Sequence, residues 1–126
     1  MKILIVDDEH DVELLFRQKF RRELRNGDFE LIFAFSAQEA LDFLNLDNPP
    51  KVVYVFSDIN MPGMSGLELL EVINKNYPKI CVSMISAYGD KENYERAIHS
   101  GAKAFFTKPI DFGKLKVEIT KLLENS

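Results

Sequence analysis

Apolar and polar positions along the chain switch repeatedly between two periods, and a breaker or turn residue marks each switch. Lys2 to Val6 is a short apolar run, which predicts a buried strand. Val12, Leu15, Phe16, Phe20 and Leu24 then recur at helical spacing, and Asn26-Gly27 supplies a stop. Phe29 to Phe35 reads as the second strand. Ser36 and Glu39 form a capping-box pair ahead of a helix with Ala37, Ala40, Leu41 and Leu44 on one face. After the break Asp47-Asn48-Pro49-Pro50, Val52 to Phe56 is the third strand. Ser65 and Glu68 repeat the capping signal before a helix carrying Leu69, Leu70 and Ile73, which Pro78 prevents from continuing. Ile80 to Ile85 is strand four, Asp90 caps a helix ending near Gly101, Ala104 to Thr107 is strand five, and Asp111 to Glu124 is the last helix.

Five strand-then-helix repeats follow from this, without a linker or low-complexity segment. Strands one, three and four are apolar almost throughout, as strands covered by helices on both faces must be. Right-handed crossovers then favour an open parallel sheet wrapped by helices, and 126 residues suit one such domain spanning 1–126. An eight-fold barrel needs about twice that length.

Composition narrows the classes. Hydrophobic residues at 46% and charged residues at 29% are globular values. The single cysteine, Cys81, excludes an internal disulfide and a multi-cysteine zinc site, and its apolar neighbours predict a buried small hydrophobe. No apolar stretch reaches the length of a membrane span and no signal peptide precedes the first strand, so a cytoplasmic protein without membrane contact is expected. A formal charge of −4 argues against direct nucleic-acid binding.

In a doubly wound sheet, ligands bind beyond the carboxyl ends of the strands. Asp7, Asp8 and Glu9 follow strand one, Asp58 strand three, Ser86 strand four and Lys108 strand five. Singly, each has an ordinary explanation: acids cap helices, serines close turns, and lysines are solvated. Together, the carboxylates of Asp7, Asp8 and Asp58, a hydroxyl and an ammonium converge on one edge. Clustered carboxylates raise one another's pKa unless compensated, and a hard divalent cation such as magnesium compensates them. A carboxylate between magnesium and lysine is poised to attack phosphorus, with the developing charge held on both sides. Phosphate-binding glycine motifs, a nucleophile elbow and a metal-like histidine pair are all missing, and His10 and His99 fall on separate, exposed helix ends.

These residues carry a resemblance. Ile3 to Glu9, Ser57 to Gly66, Ile85 to Gly89 and Phe105 to Pro109 resemble, in this order, the motifs of the receiver domain of two-component response regulators. The resemblance covers essentially the whole chain. It implies a flavodoxin-like (βα)5 fold, a doubly wound five-stranded parallel sheet of order 2-1-3-4-5. By it, Asp58 resembles the phosphoacceptor, with Asp7, Asp8, Asp58 and the Asn60 carbonyl as ligands of Mg2+, for which Mn2+ could substitute. Lys108, Ser86 and Ala87 resemble phosphoryl-binding residues, Ser86 and Phe105 the switch pair, and Asn60 and Tyr88 the positions that tune phosphate lifetime. The Lys108-Pro109 bond is expected to be cis. Implied partners are a histidine kinase or phosphotransfer protein, a downstream target or output domain, and a second copy in a phosphorylation-dependent dimer. Phe105 lacks the hydroxyl of the tyrosine usual at its position, and Ser86 lacks the methyl of threonine.

Two surfaces bear on signalling. The helix after strand four has only Tyr94, Ala97 and Ile98 as its apolar face, with Lys91/Glu95 and Glu92/Arg96 spaced as charge pairs. So little core makes it a candidate for a segment that shifts on phosphorylation, together with the helix 4/strand 5/helix 5 face, with a stable but modest surface helix as the alternative. Leu14 sits about 200° from Val12 around the first helix, away from the core, and the resemblance makes it a kinase-docking candidate. Arg17, Arg21 and Arg25 form a solvated basic stripe on that helix. Against the switching module stand an aspartyl-nucleophile phosphatase, which usually has a second acid where this chain has Asn60, and the regulatory half of a longer transcription factor or kinase. A stand-alone receiver and an excised one look alike in this sequence.

Overall fold

The computed structural model describes residues 1–47, 50–87 and 91–124. Five parallel strands, β1 (Lys2–Val6), β2 (Glu30–Ala34), β3 (Val52–Asp58), β4 (Cys81–Ser86) and β5 (Phe105–Thr107), lie in the order β2-β1-β3-β4-β5. This is the doubly wound order expected, with β1 and β3 adjacent. Six helices surround the sheet: α1 (Asp11–Lys19), α2 (Arg21–Asn26), α3 (Ala37–Leu44), α4 (Gly66–Asn76), α5 (Lys91–His99) and α6 (Phe112–Glu124). Among the described residues no helix is long and apolar enough to cross a membrane.

Strand alternation sends side chains to two cores. On one face Leu4, Val6, Val55 and Met84 pack with Ala40 and Leu44 of α3, Leu69, Leu70 and Ile73 of α4, and Ala97 of α5. On the other, Ile3, Ile5, Tyr54 and Phe56 pack with Phe16 of α1, Phe20, and Leu115 and Ile119 of α6. The second face is aromatic: Phe16 meets Phe112 edge-on at 5.3 Å, Phe20 meets Phe29 at 5.7 Å, and Tyr54 stacks on Phe56 at 4.5 Å.

The first helical pattern is not one helix. It breaks at Phe20, whose φ of −106° and ψ of 21° end α1, and α2 restarts one residue later. Helical periodicity survives the break because both Phe16 and Phe20 face the same core, so spacing alone did not reveal it. The predicted stop is where Asn26-Gly27 put it: Gly27 ends α2 at φ 76°, a left-handed conformation that glycine adopts without Cβ strain. Of the two capping boxes, Ser65/Glu68 is reciprocal, whereas Ser36 accepts from the Glu39 N–H without the return bond. The expected Asp90 cap lies outside the described residues. Cys81 is half-buried rather than buried, because it opens β4 at the rim of the aromatic core.

Candidate functional site

β1 and β3 run side by side and end together, with Val6 opposite Ser57. Asp7 and Asp8 therefore emerge beside Asp58, and their ligand oxygens all lie within 4.8 Å of one another. Asp7 and Asp58 are each 4% exposed, while Asp8 is more open to solvent. Backbone bonds fix these strand ends. The Ile59 N–H donates to the Ile85 carbonyl at 3.0 Å, and the Asp7 N–H to the Ala34 carbonyl at 3.1 Å. Asp7 Oδ1 accepts from the Glu9 N–H at 2.9 Å, and Asp58 Oδ1 from the Asn60 N–H at 3.3 Å.

Gly66 backs the end of β3. A Cβ there would lie 2.0 Å from the Asp58 carbonyl oxygen, so α4 can start this close to the end of β3 only with glycine. Sequence motif matching included Gly66, but only the geometry supplies its reason.

Lys108 arrives from the end of β5, where its N–H donates to the Ser86 carbonyl at 2.7 Å. Its ammonium bridges the two buried acids, with Nζ 3.0 Å from Asp58 Oδ2 and 3.2 Å from Asp7 Oδ2. The next peptide bond, to Pro109, is cis as expected. Burial pushes the Asp58 carboxyl above its ordinary value; the Lys108 hydrogen bond opposes this and the Asp7 charge adds to it. Burial alone would lower the Lys108 pKa, but its bonds to Asp58 and the charges of both acids outweigh that and hold it raised.

The remaining sequence candidates fall around this centre or away from it. Ser86 is buried at the end of β4 and Ala87 is exposed just beyond it. Asn60 is exposed on the β3–α4 loop. Phe105 is half-buried and meets the Tyr94 ring edge-on at 5.4 Å. Tyr88 lies outside the described residues. Leu14 points to solvent, 72% exposed, as its position around the helix required. On α5 only Ala97 is buried, and neither predicted charge pair forms among the described residues. His10 and His99 are both exposed, but His10 also stacks on Phe35 at 3.9 Å, joining the loops after β1 and β2. Sequence gave no sign of that contact.

An acidic triad at the β1/β3 ends, bridged by a lysine from β5, sits where doubly wound folds bind ligands. Comparison with known proteins agrees over nearly the whole chain: the response regulator receiver domain family matches residues 3–120. The chain belongs to that family. Sporulation initiation phosphotransferase F of Bacillus subtilis is 30% identical over 97% of this chain and 93% of its own length. Response regulator protein PilR of Pseudomonas aeruginosa is 33% identical over 91% of this chain, which spans 24% of that protein. Among solved structures, the signal receiver domain of an HD domain-containing protein from Pseudomonas fluorescens superposes with a TM-score of 0.85. It is 27% identical and covers 98% of this chain and 94% of its own. A CheY-like receiver domain protein from Methanospirillum hungatei gives 0.84 at 29% identity, with 98% and 94% covered. The chain is thus a receiver domain of two-component signalling, and receiver domains are signalling domains.

Proposed function

We propose that Asp58 is the phosphoacceptor and that the chain, acting as one domain, takes a phosphoryl group from a phosphohistidine on a kinase or phosphotransfer protein. The observation that carries this reading is Lys108 Nζ lying within 3.2 Å of both buried carboxylates. An Asp58 oxygen attacks phosphorus as the P–N bond to the donor imidazole breaks, and the bond's electron pair stays with the imidazole. Lys108, already beside Asp58, binds a phosphoryl oxygen and stabilises charge as it builds there. Hydrolysis reverses the state: water attacks phosphorus, the bond between the Asp58 oxygen and phosphorus breaks with its electron pair staying on that oxygen, and the Asp58 carboxylate and inorganic phosphate result.

Three close carboxylates of mixed exposure are a donor set that suits Mg2+, or Mn2+ in its place. Asp7, Asp8 and Asp58 would hold the ion with the Asn60 carbonyl, and the ion would supply charge neutralisation for the phosphoryl oxygens. Ser86 and the Ala87 backbone complete the phosphoryl pocket, while Asn60 and Tyr88 tune how long the phosphate lasts. The Ser86 hydroxyl moves toward the new charge and Phe105 packs inward, which resets α5 and the α5/β5/α6 face. Leu14 contributes to kinase docking through its exposed side chain. Downstream, that face binds a target protein, an output domain or a second copy of the chain, and the protein works in the cytoplasm.

Incubation with a small phosphodonor and Mg2+, followed by intact-mass measurement, tests the centre of this reading. One phosphate adduct is expected, lost in Asp58→Asn and on chelation of the metal. An adduct that survives Asp58→Asn would remove Asp58 from its role. Movement of amide resonances in residues 91–106 on phosphorylation tests the switch, and their stillness would exclude this route.

A further inference from the structure

A cleft of about 410 Å³ opens beside the acidic centre, between the β3–α4 loop and α5. That volume falls in the range of small-ligand sites, roughly 300–1,000 Å³. Its lining divides in two. Ile59, Met61, Pro62 and Leu67 form an apolar floor, and Met61, Ile59 and Leu67 are themselves buried. Asn60, Ser65, Asn93 and Arg96 supply the polar part, and every one of them can donate a hydrogen bond. Among the described residues no carboxylate lines the cleft, although the chain as a whole carries a net charge of −4.

Arg96 is the feature that selects a ligand. The spacing of Glu92 and Arg96 on α5 predicts a charge pair, yet Arg96 makes no ion pair among the described residues. Its guanidinium is a rigid fork of donors suited to a planar two-oxygen acceptor. Ser65 caps α4 by accepting the Glu68 N–H, which leaves its own O–H proton available for the cleft. A cation and neutral donors above an apolar floor fit an acid with an apolar body.

We propose that this cleft binds a small organic acid, its carboxylate on Arg96 and Asn93 and its apolar body against Met61 and Leu67. The proposal does not depend on phosphorylation of Asp58. The two sites nevertheless share a wall, since Asn60 lines the cleft while its N–H holds Asp58 Oδ1. Coupling between two such sites is reciprocal wherever it exists.

Methyl and amide NMR titration of the intact chain tests the site with three probes: phenylacetate, phenylacetamide and inorganic phosphate. Phenylacetate is expected to give saturable shifts at Ile59, Met61, Leu67 and Asn93, with phenylacetamide and phosphate each at least about tenfold weaker. Arg96→Gln, at an exposed position that the fold does not need, should bring phenylacetate down to the level of the amide. Lys91→Gln, which removes a cation from the same helix outside the cleft, should change the affinity less than about twofold. Equal binding of acid and amide, or full binding in Arg96→Gln, would overturn the assignment of the carboxylate. Phosphate binding as tightly as phenylacetate would overturn the role of the apolar floor, and shifts confined to other residues would overturn the site.

Discussion

Phe16 and Ala97 are the only buried residues of α1 and α5, two helices on opposite faces of the sheet. Phe16 sets a whole ring among Phe20, Phe33 and Phe112, whereas Ala97 contributes a methyl. At about 25 cal/mol per Å² of apolar surface, full burial of a phenylalanine stabilises by about 1.5–3 kcal/mol, several times what one methyl provides. Tyr94 and Ile98 of α5 remain 49% and 41% exposed, while Val12 and Leu24 on the other face pack against the aromatic core. One face is thus a wall, and the other carries a helix held by one buried methyl and the half-exposed Tyr94 ring against Phe105. A signal that reorganises the strand ends costs least to transmit through the helix with least to lose.

The comparison can be broken most directly at Phe16. Phe16→Ala should cost about 3–5 kcal/mol in urea unfolding, as buried aromatic truncations do. A loss under about 1 kcal/mol would mean that the aromatic face is not the wall described.

Asp58→Asn should act in the opposite direction. Its folded-state pKa is raised, chiefly by burial, so the ionised form costs stability that the protonated form does not. Stability from this group is greatest below its unfolded value near 3.8 and falls as pH rises through the folded value. Without divalent metal, the variant should therefore gain about 1 kcal/mol at neutral pH, the scale of one close like-charge contact in water. The gain should vanish below about pH 4. Lys108 keeps Asp7 as a partner in the variant, and its own raised pKa gives stability that persists until pH climbs through that value. Because β3 borders both faces, hydrogen exchange should slow on α1 and α5 alike; slowing on one alone would show the faces to be uncoupled.

The smallest expected effect is at Tyr94. Tyr94→Ala should cost under about 1 kcal/mol, as half-exposed truncations do, yet it removes the ring against which Phe105 rests. Phosphorylation-induced shifts along α5 should change in size while the unfolding midpoint hardly moves. A large stability loss there would make α5 part of the framework.

The sheet was readable because continuous apolar runs at Lys2–Val6, Val52–Phe56 and Ile80–Ile85 have no good alternative to buried parallel strands. Strand order was readable through motif resemblance, which also singled out Asp7, Asp8, Asp58 and Lys108, and the geometry brings those four together. The break at Phe20 was hidden because no glycine or proline marks it and both flanking segments keep one apolar face. The buried Tyr54–Ser83 hydroxyl pair was equally hidden, since only strand pairing shows that two polar atoms 29 residues apart meet inside the aromatic core. Arg96 was misread for another reason. Spacing reports which charges can meet on a helix, not which of them do.

Lys108 bears on which ion the proposed metal site would favour. Three ionised carboxylates against one ammonium leave two negative charges, the number one divalent cation would cancel. A monovalent ion such as sodium or potassium would leave one of them uncancelled, so the lysine would make valence, beside ionic radius, a basis for choice.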